Sequence, residues 1–105
     1  MARVTVNPGV CGLKTTIIAQ ADDLYQVTCQ ITSDCPHIQS LADALPTLSA
    51  FDELRRPMNE TTPYVIAGQS GLHVACPVPC AILKALEVAT GMALPVDVQL
   101  SISRD

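Results

Sequence analysis

Four of the five cysteines in this chain of 105 residues lie at the ends of predicted elements, outside any core periodicity. Cys11 lies in a glycine-flanked loop, and Cys35 lies at the start of the first predicted helix. Cys76 comes just before the main predicted helix, and Cys80 lies in its first turn. Helix starts offer free backbone N–H groups and the positive end of the helix dipole, which favour a thiolate. A thiolate binds metal ions and attacks electrophiles, so these four cysteines are the candidates for chemistry.

The leading hypothesis is a metal or iron–sulfur site ligated by Cys11, Cys35, Cys76 and Cys80. Four thiolates complete the ligand shell of a zinc ion or of an iron–sulfur cluster. A proline next to a ligand cysteine, as in Cys76-Pro77, also ends the cysteine run of bacterial ferredoxins. If the first three strands form a simple meander, Cys11 and Cys35 lie at the same end of the sheet. An iron–sulfur cluster and zinc therefore both remain candidate cofactors.

The remaining cysteine and the two histidines are weaker candidates. Cys29 alternates with Val27 and Ile31 on the apolar side of a predicted strand, where cysteine packs as a small hydrophobe. His73 comes three residues before Cys76, and His37 follows the proline at the first helix start, but isolated histidines near loops are usually not ligands. The sequence leaves the roles of both histidines open.

Two further functions agree with the same residues. In a thiol-based sulfur carrier or redox protein, Cys76 would be the nucleophile and Cys80 or Cys35 the resolving thiol. In an interaction module, all five cysteines would be structural and replaceable. The chain shows neither paired carboxylates nor a glycine-rich phosphate loop, so no enzyme constellation is evident. The sequence leaves open whether the protein is an enzyme.

Composition and charge restrict the partners. The formal net charge is -4, and no basic stripe is available to bind phosphates, so a nucleic-acid partner is not expected. No apolar stretch is long enough to span a bilayer, and no signal peptide is visible, so we expect a cytoplasmic protein without a membrane partner. In that reducing compartment, cysteines serve as ligands, redox groups or core residues more often than as disulfides. A protein partner in redox or sulfur handling is the expectation that follows.

Hydrophobic periodicity predicts an α+β fold in a single domain over residues 1–105. Strands are predicted at 2–6, 13–21, 24–32 and 94–103. Helices are predicted at 33–45, 49–56 and 62–68, followed by a main helix that begins after Cys76 and stops at Gly91. The stretch 62–68 also has strand-like β-branched content, but Thr62 as a cap and Pro63 favour a helix. The predicted architecture is a two-layer sandwich, a four-stranded, mostly antiparallel sheet with helices on one face. Its uncovered polar face leaves homodimerisation open.

Some positions are predicted in more detail. The buried face of the main helix should hold Ile82, Leu83, Leu86 and Ala89. The last strand should bury Val96, Val98, Leu100 and Ile102, with Asp97, Gln99, Ser101 and Ser103 outside. The acids Asp22, Asp23, Asp52, Glu53 and Glu60 are expected in turns and on helix surfaces, and Arg55-Arg56 at a solvated helix end.

The motif "CPVP" (76–79) resembles that of the sulfur-relay carriers, small α/β proteins that hand persulfide sulfur to the tRNA-thiolation machinery. Their C-P-x-P motif stands at a helix start, and the resemblance covers that helix, its closing glycine and a following strand. It implies that Cys76 would carry the persulfide. In that family the motif follows the first strand, whereas about seventy residues precede it here.

The whole chain resembles a family of small uncharacterised proteins of anaerobic bacteria and archaea. The resemblance is carried by "NPGVCG", "SDCPHI" and "ACPVPCAILKALEVATGMALP". It implies a reduced cytoplasm and places Cys11, Cys35 and Cys76 in its three motifs. Gly71 stands where a further cysteine is expected, so Cys80 would take its place or the site would be incomplete.

Overall fold

The computed structural model describes residues 1–105 as a four-stranded antiparallel sheet with helices on one face, the α+β class that the periodicity predicts. The strands are β1 (Ala2–Val6), β2 (Thr15–Ala21), β3 (Gln26–Ser33) and β4 (Leu48–Ser49). The helices are α1 (Pro36–Ala44), α2 (Ala50–Arg55), α3 (Thr62–Gln69) and α4 (Val78–Ala89), with a 3₁₀ turn at Met58–Glu60.

The sheet has the order β1-β2-β3-β4, and each strand is antiparallel to its neighbours. Side chains alternate across it, as the strand period requires. Ile17, Ala19 and Val27 are buried beneath the helices, whereas Thr28 and Gln30 point to the open face and are exposed. The meander of β1, β2 and β3 and its polar outer face are therefore as predicted.

The apolar stripe of α4 supplies much of the helix layer. Ile82 and Leu86 are fully buried, as predicted, whereas Leu83 and Ala89 are only half-buried. The helix packs against β1 and β2 and ends before Gly91, whose φ of +75° suits a glycine stop. At 12 residues α4 is the longest helix, and none of the helices has the length and apolar character that crossing a bilayer would need.

The ambiguous stretch before α4 is a helix, as predicted. Its cap residue is Thr61, and Thr62 and Pro63 form its first turn. Gly68 lies inside this helix, which continues to Gln69, and does not end it. Pro63 is tolerated because the first-turn N–H that it lacks would have no partner within the helix.

The predicted strand at 94–103 is wrong in this structure. Leu94–Asp105 lies in no helix or strand, and every residue in it is exposed. The fourth strand is instead the two-residue β4, where Leu48 pairs with Val27 and is itself buried. Period-two alternation shows which face of a strand would be buried, but it does not supply the neighbour that a sheet needs.

Glu53 is not the surface acid that the sequence suggested. It is 2% exposed and accepts hydrogen bonds from Arg56 at 2.6 Å and from the Thr62 hydroxyl at 2.6 Å. The Thr62 backbone N–H, at the start of α3, also donates to it at 2.9 Å. Arg56 is therefore half of a partly buried ion pair, because the turn after α2 brings the α3 N-terminus to this carboxylate.

The turn between β2 and β3 forms at Asp22-Asp23, as expected. Asp22 accepts hydrogen bonds on one carboxylate oxygen from the N–H groups of Leu24 and Gln26. Tyr25, although it is two residues before the buried Val27, has a φ of +60° and is 41% exposed. Its ring packs edge-on against Phe51 at 4.9 Å, so it belongs to the turn and not to the core.

Candidate thiol site

Two of the candidate cysteines follow strands that finish at the same end of the sheet. The registers pair Val6 with Thr15 and Thr15 with Ser33, so the end of β1, the start of β2 and the end of β3 form one row. We call this row the thiol end. The loop with Cys11 follows β1 at this end, and Cys35 comes two residues after Ser33. The meander therefore places Cys11 and Cys35 at the same end of the sheet, as the sequence predicts.

Cys35 is fixed by hydrogen bonds through its backbone, which leaves its thiol free. It is the cap residue of α1, with φ −80° and ψ 121°, yet its side chain makes no capping hydrogen bond. Its N–H donates to the Ser33 hydroxyl at 3.1 Å, and that hydroxyl also accepts from the buried Thr15 hydroxyl at 2.9 Å. Its carbonyl accepts the first helical bond, from Gln39 at 3.0 Å. The cysteine is thus tied to β2 and β3.

Cys76 is held in a turn before α4. Its N–H donates to the His73 carbonyl at 2.9 Å, and its half-buried side chain packs against the core. Burial raises the pKa of the Cys76 thiol, and the Val78 N–H, which donates to the sulfur, opposes that rise. Free N–H groups at a helix start stabilise a thiolate, and the Val78 amide is one of them.

Cys35 and Cys11 also act on Cys76. Both raise its pKa further, because a second negative thiolate nearby disfavours ionisation. The start of α1 also contacts the loop before α4, since His37 Nδ1 is 3.3 Å from the Ser70 carbonyl oxygen. Cys35 shortly precedes this contact along the chain and Cys76 shortly follows it, while Cys11 shares an end of the sheet with Cys35.

Cys80 has a different neighbour. It is the third residue of α4 and is exposed, and the titratable group that it affects is Tyr64 on α3. Burial, and then Cys80, raise the pKa of Tyr64. Because Cys76 precedes the helix, the two cysteines do not share a helical face despite their spacing of four. The charge of Cys80 therefore acts on a residue of α3, whereas the charges of Cys11 and Cys35 act on Cys76.

The loop that carries Cys11 has the shape of a glycine turn. The Gly12 N–H donates to the Gly9 carbonyl at 3.0 Å, and both glycines have positive φ, +91° for Gly9 and +68° for Gly12. Cys11 stands inside this turn with an exposed side chain. Glycine adopts such φ values without steric cost, so the pair sets where the Cys11 thiol can lie.

Cys29 packs against the core from β3, as predicted, and burial raises its pKa to about 11. His37 links α1 to the loop after α3, with its Nδ1 3.3 Å from the Ser70 carbonyl oxygen. Gly71, where a cysteine was expected, lies against the His37 ring: a Cβ at position 71 would be 3.3 Å from His37 Nδ1. His73 is exposed, and its backbone carbonyl accepts the hydrogen bond of the Cys76 N–H.

The sequence did not reveal the supporting hydroxyls of Thr15 and Ser33. A serine two residues before a cap residue is a weak signal, since it can turn the chain by accepting a backbone N–H. The buried partner, Thr15, could be identified only from the strand register.

The site lacks a finished metal geometry. No group of three or more His, Cys, Asp or Glu side chains is arranged to hold a metal ion in the structure. Zinc–sulfur bonds of about 2.3 Å require thiolates within about 4 Å of one another. Ligation of one zinc ion by the three thiols therefore needs them to approach more closely than they do in this structure.

A family model matches residues 2–102, which includes all four strands, all four helices and most of the segment after α4. The chain belongs to DUF6951, a family of unknown function. No curated protein and no solved structure matches the chain. Membership in this family brings no activity with it, so the function has to be argued from the thiol site.

Proposed function

We propose that the chain binds a metal ion or an iron–sulfur cluster through the thiolates of Cys11, Cys35 and Cys76, in redox chemistry or in the handling of clusters or sulfur. The supporting observation is that the strand register puts Cys11 and Cys35 at the thiol end, and that both of these thiols raise the pKa of Cys76 in the turn before α4. Metal sites are commonly assembled in this way from separate elements.

The surroundings of these thiols suit metal ligation better than free nucleophilic attack. Burial and the neighbouring cysteines keep the Cys76 pKa above its ordinary value in the metal-free chain. A bound cation reverses this effect, because a coordinating thiol loses its proton. The Val78 N–H would then donate to a metal-bound sulfur, and hydrogen bonds to sulfur tune such centres.

Three thiolates fill three positions of a tetrahedral ligand shell and leave the fourth position open. Cys80, the fourth ligand suggested by the sequence, is one candidate for that position; it is exposed and raises the pKa of Tyr64. The alternative is a ligand from outside the chain, such as a sulfur species or a side chain of a protein partner. A Cys80→Ser variant distinguishes the two, because it lowers metal content only if Cys80 is a ligand.

A second candidate is a sulfur carrier of the C-P-x-P type that uses Cys76. It is supported by the position of Cys76 immediately before α4 and by the Val78 N–H at its sulfur. This function requires a reactive thiolate without bound metal. The raised Cys76 pKa counts against it, since less thiolate is available at neutral pH.

The proposed setting is a reducing cytoplasm with a protein partner. All five cysteines are free thiols, as that compartment maintains them. The net charge of -4 favours a protein partner over nucleic acid.

The test is purification without oxygen, followed by measurement of iron, zinc and acid-labile sulfide per chain and an absorption spectrum. We expect bound metal in the natural chain and at least a tenfold loss in each of Cys11→Ser, Cys35→Ser and Cys76→Ser. Cys29→Ala is the matched control, because Cys29 lies in the core and should not affect binding.

Iron with sulfide would assign a cluster, and zinc alone a mononuclear site. The proposal is wrong if the chain takes up neither after incubation with ferrous iron and sulfide or with zinc. Rapid alkylation of Cys76 in that metal-free chain would then favour the sulfur carrier. If all the thiol variants keep their metal, the ligands lie elsewhere.

A further inference from the structure

The segment after α4 has the alternating sequence of a strand but forms no strand within its own chain. We call residues 94–105 the C-terminal tail. Its apolar residues alternate with polar ones, and Val96, Val98, Leu100 and Ile102 are between 63% and 94% exposed. No backbone hydrogen bond joins the tail to the sheet. Such a row of exposed apolar side chains marks a surface that is normally covered.

The sheet offers one long free edge. In the order β1-β2-β3-β4, the outer edges belong to β1 and β4. β4 has only two residues, whereas β1 has five, and its outer N–H and C=O groups are unpaired. An unpaired edge of this length is a template for another strand. β1 carries none of the bulges or prolines that protect natural edges.

The faces of β1 and the tail match. Along β1, Ala2 and Val6 are buried and Val4 is half-buried on the side covered by α4, while Arg3 and Thr5 are exposed on the other side. A strand added to β1 would place its apolar row under the helix layer and its polar row beside Arg3. The polar row of the tail includes Asp97, the opposite charge for a cross-strand pair.

The position of the tail favours a second copy as the partner. The molecule measures 45 × 28 × 25 Å, and the tail stands clear of its own sheet, exposed throughout. In a twofold arrangement each copy gives one tail and receives one, so both β1 edges and both apolar rows are covered and the assembly closes. The family match to residue 102 includes the alternating part of the tail as well as β1.

We propose that the C-terminal tail pairs with the β1 edge of a second copy of this chain, forming a homodimer by reciprocal strand addition. Main-chain hydrogen bonds along β1 would supply much of the affinity, and the row from Val96 to Ile102 would set the register. This dimer does not depend on the proposed metal site, which lies at the ends of the strands and not along the β1 edge.

The first experiment is the mass in solution, by light scattering after gel filtration at tens of micromolar under reducing conditions with a chelator. We expect twice the chain mass of 11.1 kDa. The doubly substituted Val98→Asp/Leu100→Asp chain should be monomeric, and Gln99→Glu/Ser101→Asp is the control on the polar row of the same tail. A chain that ends at residue 93 should be a monomer. Its helical circular dichroism signal per molecule should equal that of the full chain, which would show that residues 1–93 still fold.

The second experiment locates the pairing. In a mixture of isotope-labelled and unlabelled chains, we expect nuclear Overhauser effects between tail and β1 protons of different copies, and slowed amide exchange in both segments. A monomeric natural chain, a dimer that survives Val98→Asp/Leu100→Asp, or contacts between the tail and β1 within a single copy would each overturn the proposal. A Cys76→Ser chain that loses metal but keeps the dimer would separate the two proposals.

Discussion

The backbone N–H of Cys35 donates a hydrogen bond to the hydroxyl of Ser33 at 3.1 Å. The same hydroxyl accepts the hydrogen bond of Thr15, which is 1% exposed, at 2.9 Å. One serine side chain therefore joins two strands to the cap of α1 at the thiol end.

Replacing Ser33 by Ala should weaken both the fold and the site. The Thr15 hydroxyl and the Cys35 N–H would lose their acceptor, which typically costs about 1–3 kcal/mol of unfolding free energy. Metal affinity should fall by about 10- to 100-fold, the usual effect of removing a group that orients a ligand. Urea denaturation and metal titration measure the two effects. Thr32→Ala, an exposed neighbour on the open face, is the control, and equal effects from both variants would contradict this role.

In the metal-free, reduced protein, Cys76 should alkylate more slowly than the exposed Cys11 and Cys80 at pH 8. Its raised pKa leaves less thiolate at that pH, and its partial burial slows access. Removing a neighbouring thiol in Cys35→Ser lowers the Cys76 pKa, so the Cys76 rate should increase. Iodoacetamide labelling followed by peptide mass spectrometry gives the rate at each cysteine. No change in the Cys76 rate in Cys35→Ser would show that the two thiols do not interact.

The unfolding free energy should decrease as the pH rises from about 9 to 11, in part because of Cys29. Burial raises the pKa of this thiol from 9.0 to about 11 in the folded chain. Between pH 9 and pH 11 the Cys29 thiol is deprotonated in the unfolded chain but keeps its proton in the folded chain. The contribution of Cys29 to the unfolding free energy is therefore complete below pH 9 and is lost by pH 11. Denaturation series at several pH values in a Cys29→Ala variant should show a shallower decline. If the unfolding free energy declines with pH at the same rate in the natural chain and in Cys29→Ala, Cys29 is not a source of the decline.

Glu53→Gln should destabilise the protein by about 2–4 kcal/mol. The carboxylate is 2% exposed and is paired with Arg56 and with the N–H and hydroxyl of Thr62. An amide keeps the shape but removes the charge, which leaves a partly buried guanidinium without its partner. Thermal and urea unfolding measure the loss. The exposed Asp52→Asn on the same helix is the control, since its pair with Arg55 lies in solvent and should contribute little.

The sequence by itself determined most of the local structure. Alternation identified the three long strands and their polar outer face, and the period of 3.6 identified α1 and α4 with Ile82 and Leu86 inside. Cys29 was recognisable as a core residue because its strand neighbours are apolar. These features are local: each depends on the spacing of side chains along one element.

Tertiary structure decided which elements meet. The periodicity at Val96 and Val98 is as regular as that of β3, yet the sheet takes Leu48–Ser49 as its fourth strand. The sequence around Glu53 predicts an acid on the surface of a helix. Glu53 is buried because α3 begins beside it.

The candidate site shows the same division. The sequence supplied Cys11, Cys35, Cys76 and Cys80 as thiols at element ends, and the meander rule supplied the shared end of the sheet for two of them. Only the fold showed that Cys11 and Cys35 raise the pKa of Cys76 and that Cys80 raises the pKa of Tyr64. The physical reason is that a side chain's type and period are fixed along the chain, whereas its distance from residues far away depends on how strands and helices pack in three dimensions.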